Sequence, residues 1–204
     1  MEEALLFLRV DGEVIHTFSC SPFGLEELAL GWLYDARRIT AADDVTSVTV
    51  EGNEINVHTR NGLKPAQTLP AMADALDPVP AWPDFSGEDA QTLLQRLFAA
   101  ADTFGCHAVG GLSASGELIV REDIGRHNAM DKVAGYFLKK GEHPRALVST
   151  GRLSLDMTVK SAHLGASVVV TRKYPGTLSL RIMNRIGLRV FSGKGEEFLP
   201  DDIL

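Results

Sequence analysis

Residues 87–204 alternate between short β-branched runs and longer amphipathic runs, and this alternation constrains the fold more than any other feature. Valine-rich runs such as Ser167–Thr171 have the length and composition of buried strands. The longer runs carry apolar residues at helical spacing, and Gly141, Gly165 and Gly187 stand where such helices would end. Strands that alternate with helices usually pair in parallel through right-handed crossovers. We therefore expect a three-layer α/β domain, with strands at 107–112, 117–121, 146–149, 167–171 and 188–191 and helices at 86–103, 128–140, 153–164 and 176–186.

Residues 1–62 have the pattern of a small β-rich domain. Two hairpins are predicted, one turning at Asp11–Gly12 and the other at Gly52–Asn53, because such dipeptides favour tight turns between strands. Between the hairpins we expect a helix over Leu25–Asp35, with Ser21 as its capping residue.

Residues 63–86 differ from both neighbouring regions because they contain five prolines. Proline interrupts helices and strand ladders alike. This stretch is therefore predicted to be a linker or loop, with a short helix near 70–76, between a domain of residues 1–62 and a domain of residues 87–204.

Composition and charge exclude several classes of function. The net charge is −7, and because an acidic chain repels polyphosphate at long range, we expect no nucleic-acid partner. No apolar run reaches the roughly 18 residues of a membrane-spanning helix, and Met1–Ala4 lacks the pattern of a signal peptide. The two cysteines, Cys20 and Cys106, cannot form a disulfide framework. These features predict a soluble cytoplasmic protein without a membrane partner.

Residues 121–132, Arg-Glu-Asp-Ile-Gly-Arg-His-Asn-Ala-Met-Asp-Lys, are the densest group of polar side chains in the sequence. They fall between a predicted strand and a predicted helix, where α/β proteins usually bind ligands. Gly125 permits a tight turn, and Arg126, His127 and Asn128 would then stand at the helix start, where backbone N–H groups attract anions. A solvated helix start has the same composition. The residues alone therefore leave both an anion site and an ordinary helix start open.

The same segment resembles the signature of the FdhD/NarQ family, the accessory proteins of formate dehydrogenases. Further segments agree with that family in order and spacing, so the resemblance covers most of the chain. They are Glu26–Leu33, Gly105–Ala108, Ser113–Leu118, Val148–Ser154 and Thr177–Leu180.

The resemblance implies a fold and a function. The larger domain is expected to be similar to cytidine deaminases. Members of the family accept sulfur from a cysteine desulfurase and pass it to the molybdenum bis-pterin guanine dinucleotide cofactor of formate dehydrogenase. They bind guanine nucleotides such as GDP and act as dimers. A homodimer with a cysteine desulfurase and formate dehydrogenase as partners is thus implied.

The resemblance also implies a cofactor contact in the segment after the last strand. Its glycines would let the backbone approach a phosphate and Lys194 would supply charge, although a glycine-rich C-terminal turn has the same composition. Arg126, His127 and Lys132 are expected to line the cofactor site as well. The segment corresponds here to Phe191, Ser192, Gly193, Lys194, Gly195 and Glu196.

The family carries sulfur on a Cys-x-x-Cys loop, which should fall near residues 60–75, where this chain has no cysteine. Because a persulfide requires a thiolate, Cys106 is the substitute that we predict as the catalytic thiol. His107 follows it and would lower its pKa. A small buried thiol is the alternative for Cys106, as it is for Cys20. The function predicted first is cofactor sulfuration. The alternative is a chaperone that holds the cofactor or a guanine nucleotide without persulfide chemistry.

Two common kinds of site are not expected. Zinc deaminases use His-x-Glu and Pro-Cys-x-x-Cys, whereas Val109 stands where His107 would need a glutamate, so no metal site is predicted. The chain also lacks the Gly-x-x-x-x-Gly-Lys-Ser/Thr phosphate loop. Ser149–Arg152 is expected to form at most a small anion nest.

Overall fold

The computed structural model describes residues 2–101 and 105–199, and its elements follow the predicted order of an α/β fold. The predicted end of the third helix, at Thr103, lies outside these residues. The strands are β1 (Ala4–Val10), β2 (Glu13–Cys20), β3 (Val45–Glu51), β4 (Glu54–Thr59), β5 (His107–Leu112), β6 (Leu118–Asp123), β7 (Ala146–Ser149), β8 (Val168–Thr171) and β9 (Arg189–Ser192). The helices are α1 (Leu25–Asp35), α2 (Leu69–Asp74), α3 (Gly87–Ala100), α4 (Arg126–Lys140), α5 (Leu155–His163) and α6 (Thr177–Ile186).

The two predicted hairpins form one four-stranded sheet, in the order β2-β1-β4-β3. Pairing is antiparallel within each hairpin and parallel between β1 and β4. Asp11 and Gly12 have φ angles of 49° and 91°, the two left-handed conformations that a type I′ turn requires. The turn predicted at this dipeptide is therefore confirmed.

Helices α1 and α4 pack closely because glycines stand where the two helices cross. A Cβ atom on Gly31 would lie 1.7 Å from the carbonyl oxygen of Asp131, and one on Gly135 would lie 2.0 Å from that of Glu27. The Glu27 carboxylate also forms an ion pair with Arg121, whose Nε lies 2.5 Å from Oε2. The backbones thus approach to a distance that no larger residue permits.

The start of α1 differs from the prediction. Gly24, with a φ angle of 64°, precedes the helix, and no side chain caps it. Ser21 is buried and donates its hydroxyl to Oδ2 of Asp123 at 3.0 Å. The expectation that Ser21 caps the helix is wrong, because its hydroxyl is engaged by this distant carboxylate.

The second sheet has five strands, in the order β6-β5-β7-β8-β9. Strands β7, β8 and β9 are parallel as predicted, but β5 runs antiparallel to β7. A short turn at Ser113–Glu117 joins β5 to β6, and such a connection is too short for a parallel crossover. Every residue of β7 and β8 is buried, so both faces of the sheet are covered, with α3 packed against one of them.

Packing divides the described residues into two compact units that interrupt each other along the sequence. The first contains residues 2–67, 105–107 and 121–142, and the second contains residues 68–101, 108–120 and 143–199. This division differs from the predicted boundaries because α4, inside the predicted larger domain, packs against α1. None of the described helices is long and apolar enough to cross a membrane.

Candidate functional site

Helix α4 begins after a glycine, in a turn held by hydrogen bonds to Asp123. Gly125 precedes the helix without a side-chain cap. Its own N–H donates to Oδ1 of Asp123 at 2.9 Å, and the side-chain amide of Asn128 donates to the same oxygen at 3.0 Å. These bonds hold the turn before α4, and a helix start is a position where proteins commonly bind anions.

Arg126, the first residue of α4, contributes a guanidinium group to this helix start. Its Nε atom is buried and has no hydrogen-bond partner in the part of the chain that the structure describes. A guanidinium N–H that neither water nor protein satisfies costs free energy. A phosphate or carboxylate oxygen would satisfy it, so Arg126 fits the predicted anion site.

Lys132 and Asp123 form a buried ion pair behind the helix start. Nζ lies 2.6 Å from Oδ2, and the two side chains are 2% and 0% exposed. The ammonium also donates to Oγ of Ser21 at 2.7 Å and contacts the carbonyl oxygens of Ser21 and Glu122 at 3.3 Å. An ammonium has three N–H donors, and here all three are occupied. Lys132 thus anchors Ser21 to the end of β6, and its expected place in the lining of the cofactor site stays a prediction.

Cys106 is half-buried beside His107. Burial lowers the pKa of His107, and the charges of Arg126 and His127 lower this pKa further. Because the imidazole is then neutral at pH 7, it cannot supply the positive charge that was expected to activate Cys106. The effect of Arg126 on this pKa shows that His107 and its neighbour Cys106 lie within electrostatic reach of Arg126.

Cys20 is fully buried at the end of β2. Burial, with a smaller contribution from Asp123, raises the pKa of this thiol to about 11. It stays protonated at physiological pH and cannot act as a nucleophile. Of the two cysteines, Cys106 is the one with solvent access.

The predicted cofactor segment forms a closed turn after β9. Oγ of Ser192 accepts hydrogen bonds from the N–H groups of Lys194 and Glu196, both at 3.2 Å. The N–H of Gly195 donates to the carbonyl oxygen of Ser192 at 3.0 Å. These amides are satisfied within the turn and do not form the expected phosphate nest. What the segment offers to an anion is the exposed side chain of Lys194.

The glycines of this segment serve packing. A Cβ atom on Gly195 would lie 2.5 Å from the carbonyl oxygen of Gly87, and one on Gly193 would lie 2.4 Å from Cδ2 of Leu94. The absence of a side chain at both positions allows this segment to contact α3 closely. Phe191 is likewise part of the core, at 2% exposure, so its ring is not available to a ligand.

Basic side chains follow all three parallel strands of the second sheet. The carboxyl ends of β7, β8 and β9 meet at one edge of that sheet, where α/β proteins usually bind ligands. Arg152 follows β7, Arg172 and Lys173 follow β8, and Lys194 follows β9, all of them exposed. The sequence analysis did not single out Arg172 and Lys173, although their position directly after a predicted parallel strand was the available signal.

The anion nest expected at Ser149–Arg152 is closed. The N–H of Gly151 donates to Oγ of Ser149 at 3.1 Å, and the N–H of Thr150 donates to the carbonyl oxygen of Ala108 at 3.1 Å. Arg152 extends an exposed side chain from this turn.

The predicted site residues fall into two sets. Cys106, Arg126, His127 and Lys132 belong to the first compact unit, and Phe191–Glu196 belong to the second. Within residues 2–101 and 105–199, no group of three or more His, Cys, Asp or Glu residues is arranged to hold a metal ion.

Comparison with known proteins agrees with the resemblance seen in the sequence. The model of the FdhD/NarQ family matches residues 1–192. The chain belongs to the FdhD/NarQ family. Among its relatives, the "Sulfur carrier protein FdhD" of Geobacillus kaustophilus is 26% identical over 211 residues, covering 91% of this chain and 80% of that protein. The protein of the same name from Staphylococcus aureus (strain MRSA252) is 25% identical over 213 residues, covering 90% of this chain and 79% of that protein.

A solved structure is similar to this chain in fold. It is the crystal structure of a protein from Desulfotalea psychrophila described as a formate dehydrogenase accessory protein. The two share 25% sequence identity with a TM-score of 0.82, over 99% of this chain and 90% of that one. The α/β fold predicted from the sequence is thereby confirmed.

Proposed function

We propose that this chain is an accessory protein of formate dehydrogenase that binds the molybdenum bis-pterin guanine dinucleotide cofactor and aids its sulfuration. Membership of the FdhD/NarQ family supports the role. The proposal includes a cytoplasmic homodimer that receives sulfur from a cysteine desulfurase. When bound, the cofactor would supply the molybdenum atom that carries the added sulfur.

The observation that carries the binding proposal is the start of α4. There the buried Nε of Arg126 lacks a partner among the described residues, and Gly125 supplies no side-chain cap to the helix. Both features suit a phosphate oxygen of the guanine dinucleotide. His127 stands beside Arg126 and is proposed to take part in the same contact.

The basic side chains after β7, β8 and β9 form a second group suited to phosphate. Arg152, Arg172, Lys173 and Lys194 are exposed at one edge of a sheet in a chain whose net charge is −7. A guanine dinucleotide carries a diphosphate, so this second group is proposed as a phosphate site in its own right.

The sulfur step is proposed at Cys106. Its thiolate would attack the terminal sulfur of a desulfurase persulfide, so that an S–S bond forms at Cys106 and the desulfurase thiolate leaves. Arg126 interacts electrostatically with His107, the neighbour of Cys106, so a cationic side chain lies within reach of this segment.

A second function remains a candidate because the exposed loop at residues 60–68 contains no cysteine. In this alternative the chain holds the cofactor or a guanine nucleotide as a chaperone and performs no persulfide chemistry. Both proposals share the phosphate site at α4, and they differ at Cys106.

The shared site is tested by calorimetric titration of the full chain with GDP. Arg126→Gln should weaken binding about tenfold or more, the loss expected for one charge-assisted hydrogen bond. Arg145→Gln is the matched control, because it removes the same charge from an exposed guanidinium that stacks on Trp82. Lys194→Ala tests the second group and should also weaken binding. Equal affinities of the Arg126 and Arg145 variants would remove α4 from the site.

A further inference from the structure

The outer edge of β3, the side that faces away from β4, lacks the hydrogen bonds that two other strand edges form among the described residues. On β2, the carbonyl oxygen of Ser19 accepts the side-chain amide of Asn128 at 2.7 Å. On β9, the chain returns, and the N–H of Phe198 donates to the carbonyl oxygen of Val190 at 2.9 Å. Among the described residues no hydrogen bond reaches the outer edge of β3. An edge with unpaired donors and acceptors is a template for another strand.

The register of the hairpin shows which groups are unpaired. Glu51 pairs with Glu54 across a two-residue turn. In such a hairpin the residues of the closing pair exchange backbone hydrogen bonds with each other, and so do the residues of every second pair after it. Thr49 and Asn56 form one of these hydrogen-bonded pairs. Val48 and Val50 lie between these pairs and direct their N–H and C=O groups to the open side.

The sequence of β3 contains few of the devices that normally protect an edge. Val-Thr-Ser-Val-Thr-Val-Glu has high β-propensity and no proline or lysine, and none of its residues is buried. Val50 is 45% exposed. One irregularity, between Val45 and Ser47, interrupts only the beginning of the strand. The rest is regular enough to pair with an extended segment.

Charge identifies the kind of segment that fits. Asp43, two residues before β3, and Glu51, its last residue, are exposed, and neither carboxylate forms an ion pair with any described residue; Nε of Arg60 donates to the backbone carbonyl oxygen of Asp43 at 3.1 Å. A segment with Lys or Arg at both ends would neutralise them. Pairing β3 with the β3 of a second copy would instead bring the acidic ends of two strands together, which is unfavourable.

We infer that the outer edge of β3 binds an extended segment of a partner protein by strand addition, with basic residues flanking a β-branched run. Main-chain hydrogen bonds to Val48 and Val50 provide the affinity, and the acidic ends select the charge. This surface is independent of the nucleotide site and adds a docking function to the proposed one.

The test uses the full chain and a labelled, end-capped peptide, Lys-Thr-Val-Thr-Val-Thr-Lys, followed by fluorescence anisotropy. The same peptide with Glu in place of both Lys is the charge control. Val48→Pro removes an outward N–H without removing a bond to β4, so peptide affinity should fall about tenfold or more. Val48→Thr, the matched control, should keep its affinity within about twofold. Glu51→Lys should weaken binding of the Lys peptide and strengthen that of the Glu peptide.

If Val48→Pro does not fold, amide hydrogen exchange of the wild-type chain gives the answer. The Lys peptide should protect the amides of Val48 and Val50 and leave those of β2 unchanged. Equal binding of both peptides, or protection elsewhere, overturns the inference. Self-association through β3, seen as protection that depends on protein concentration without peptide, also overturns it.

Discussion

Lys132 connects Ser21 and Asp123, two residues that are far apart in sequence, through a nearly dehydrated ion pair. Lysine in a polar motif suggests a ligand contact, and the sequence carried no sign that this one is 1% exposed. The difference arises because burial depends on the distant segment that covers the side chain. Arg126 has a similar sequence context but retains a buried donor without a described partner.

Replacing Lys132 by Met should lower the free energy of unfolding by roughly 3–5 kcal/mol, because Asp123 is left as an uncompensated buried charge. Urea unfolding measures this change. Lys139→Met is the matched control on α4, since its ion pair with Glu26 is 40% and 52% exposed and should contribute less than about 1 kcal/mol. A similar decrease in the free energy of unfolding of both variants would contradict the structural role of Lys132.

The two cysteines should differ sharply in their rate of alkylation. With iodoacetamide at pH 8, Cys106 should react and Cys20 should not, because Cys20 is fully buried and its pKa is raised to about 11. Peptide mass mapping before and after denaturation measures the difference. Labelling of Cys20 in the folded chain would contradict the packing of β2.

At the scale of elements, local signals identified nearly every helix and strand. The Asp11–Gly12 turn and the glycines that end α4 and α6 were visible because each depends on a few neighbouring residues. The direction of β5 relative to β7 was not predicted, because a helix–strand alternation does not record that the hairpin of β5 and β6 places an antiparallel strand beside β7. The crossing of α1 and α4 was also missed, since Gly31 and Gly135 are separated by about a hundred residues.

That crossing gives a stability prediction. Gly31→Ala should lower the free energy of unfolding by several kcal/mol, because the new methyl group would overlap the carbonyl oxygen of Asp131. Thermal unfolding of the variant is compared with Gly176→Ala, where the new Cβ would lie 3.7 Å from its nearest described neighbour, Oγ of Ser179. A Gly31 variant as stable as the Gly176 variant would show that the helices do not cross so closely.

At the scale of the whole molecule, the order of elements was predictable but their division into units was not. Helix α4 lies among the elements of the predicted larger domain, yet its glycine-marked face packs on α1. Sequence order cannot reveal such a return of the chain. The family and its role followed from residues 121–132, whereas the contribution of each residue required the structure. The structure places Lys132 in a buried ion pair and Phe191 in the core, whereas Lys194 is exposed and Cys106 is half-buried.

The sulfur step is the central claim, and one measurement tests it directly. The purified chain is incubated with a cysteine desulfurase and free cysteine, and its intact mass is recorded with and without reductant, beside Cys106→Ala and Cys20→Ala. We predict a reductant-sensitive gain of one sulfur atom in the wild type and in Cys20→Ala, and none in Cys106→Ala. The absence of any gain in the wild type would contradict sulfur transfer and leave the cofactor-holding function.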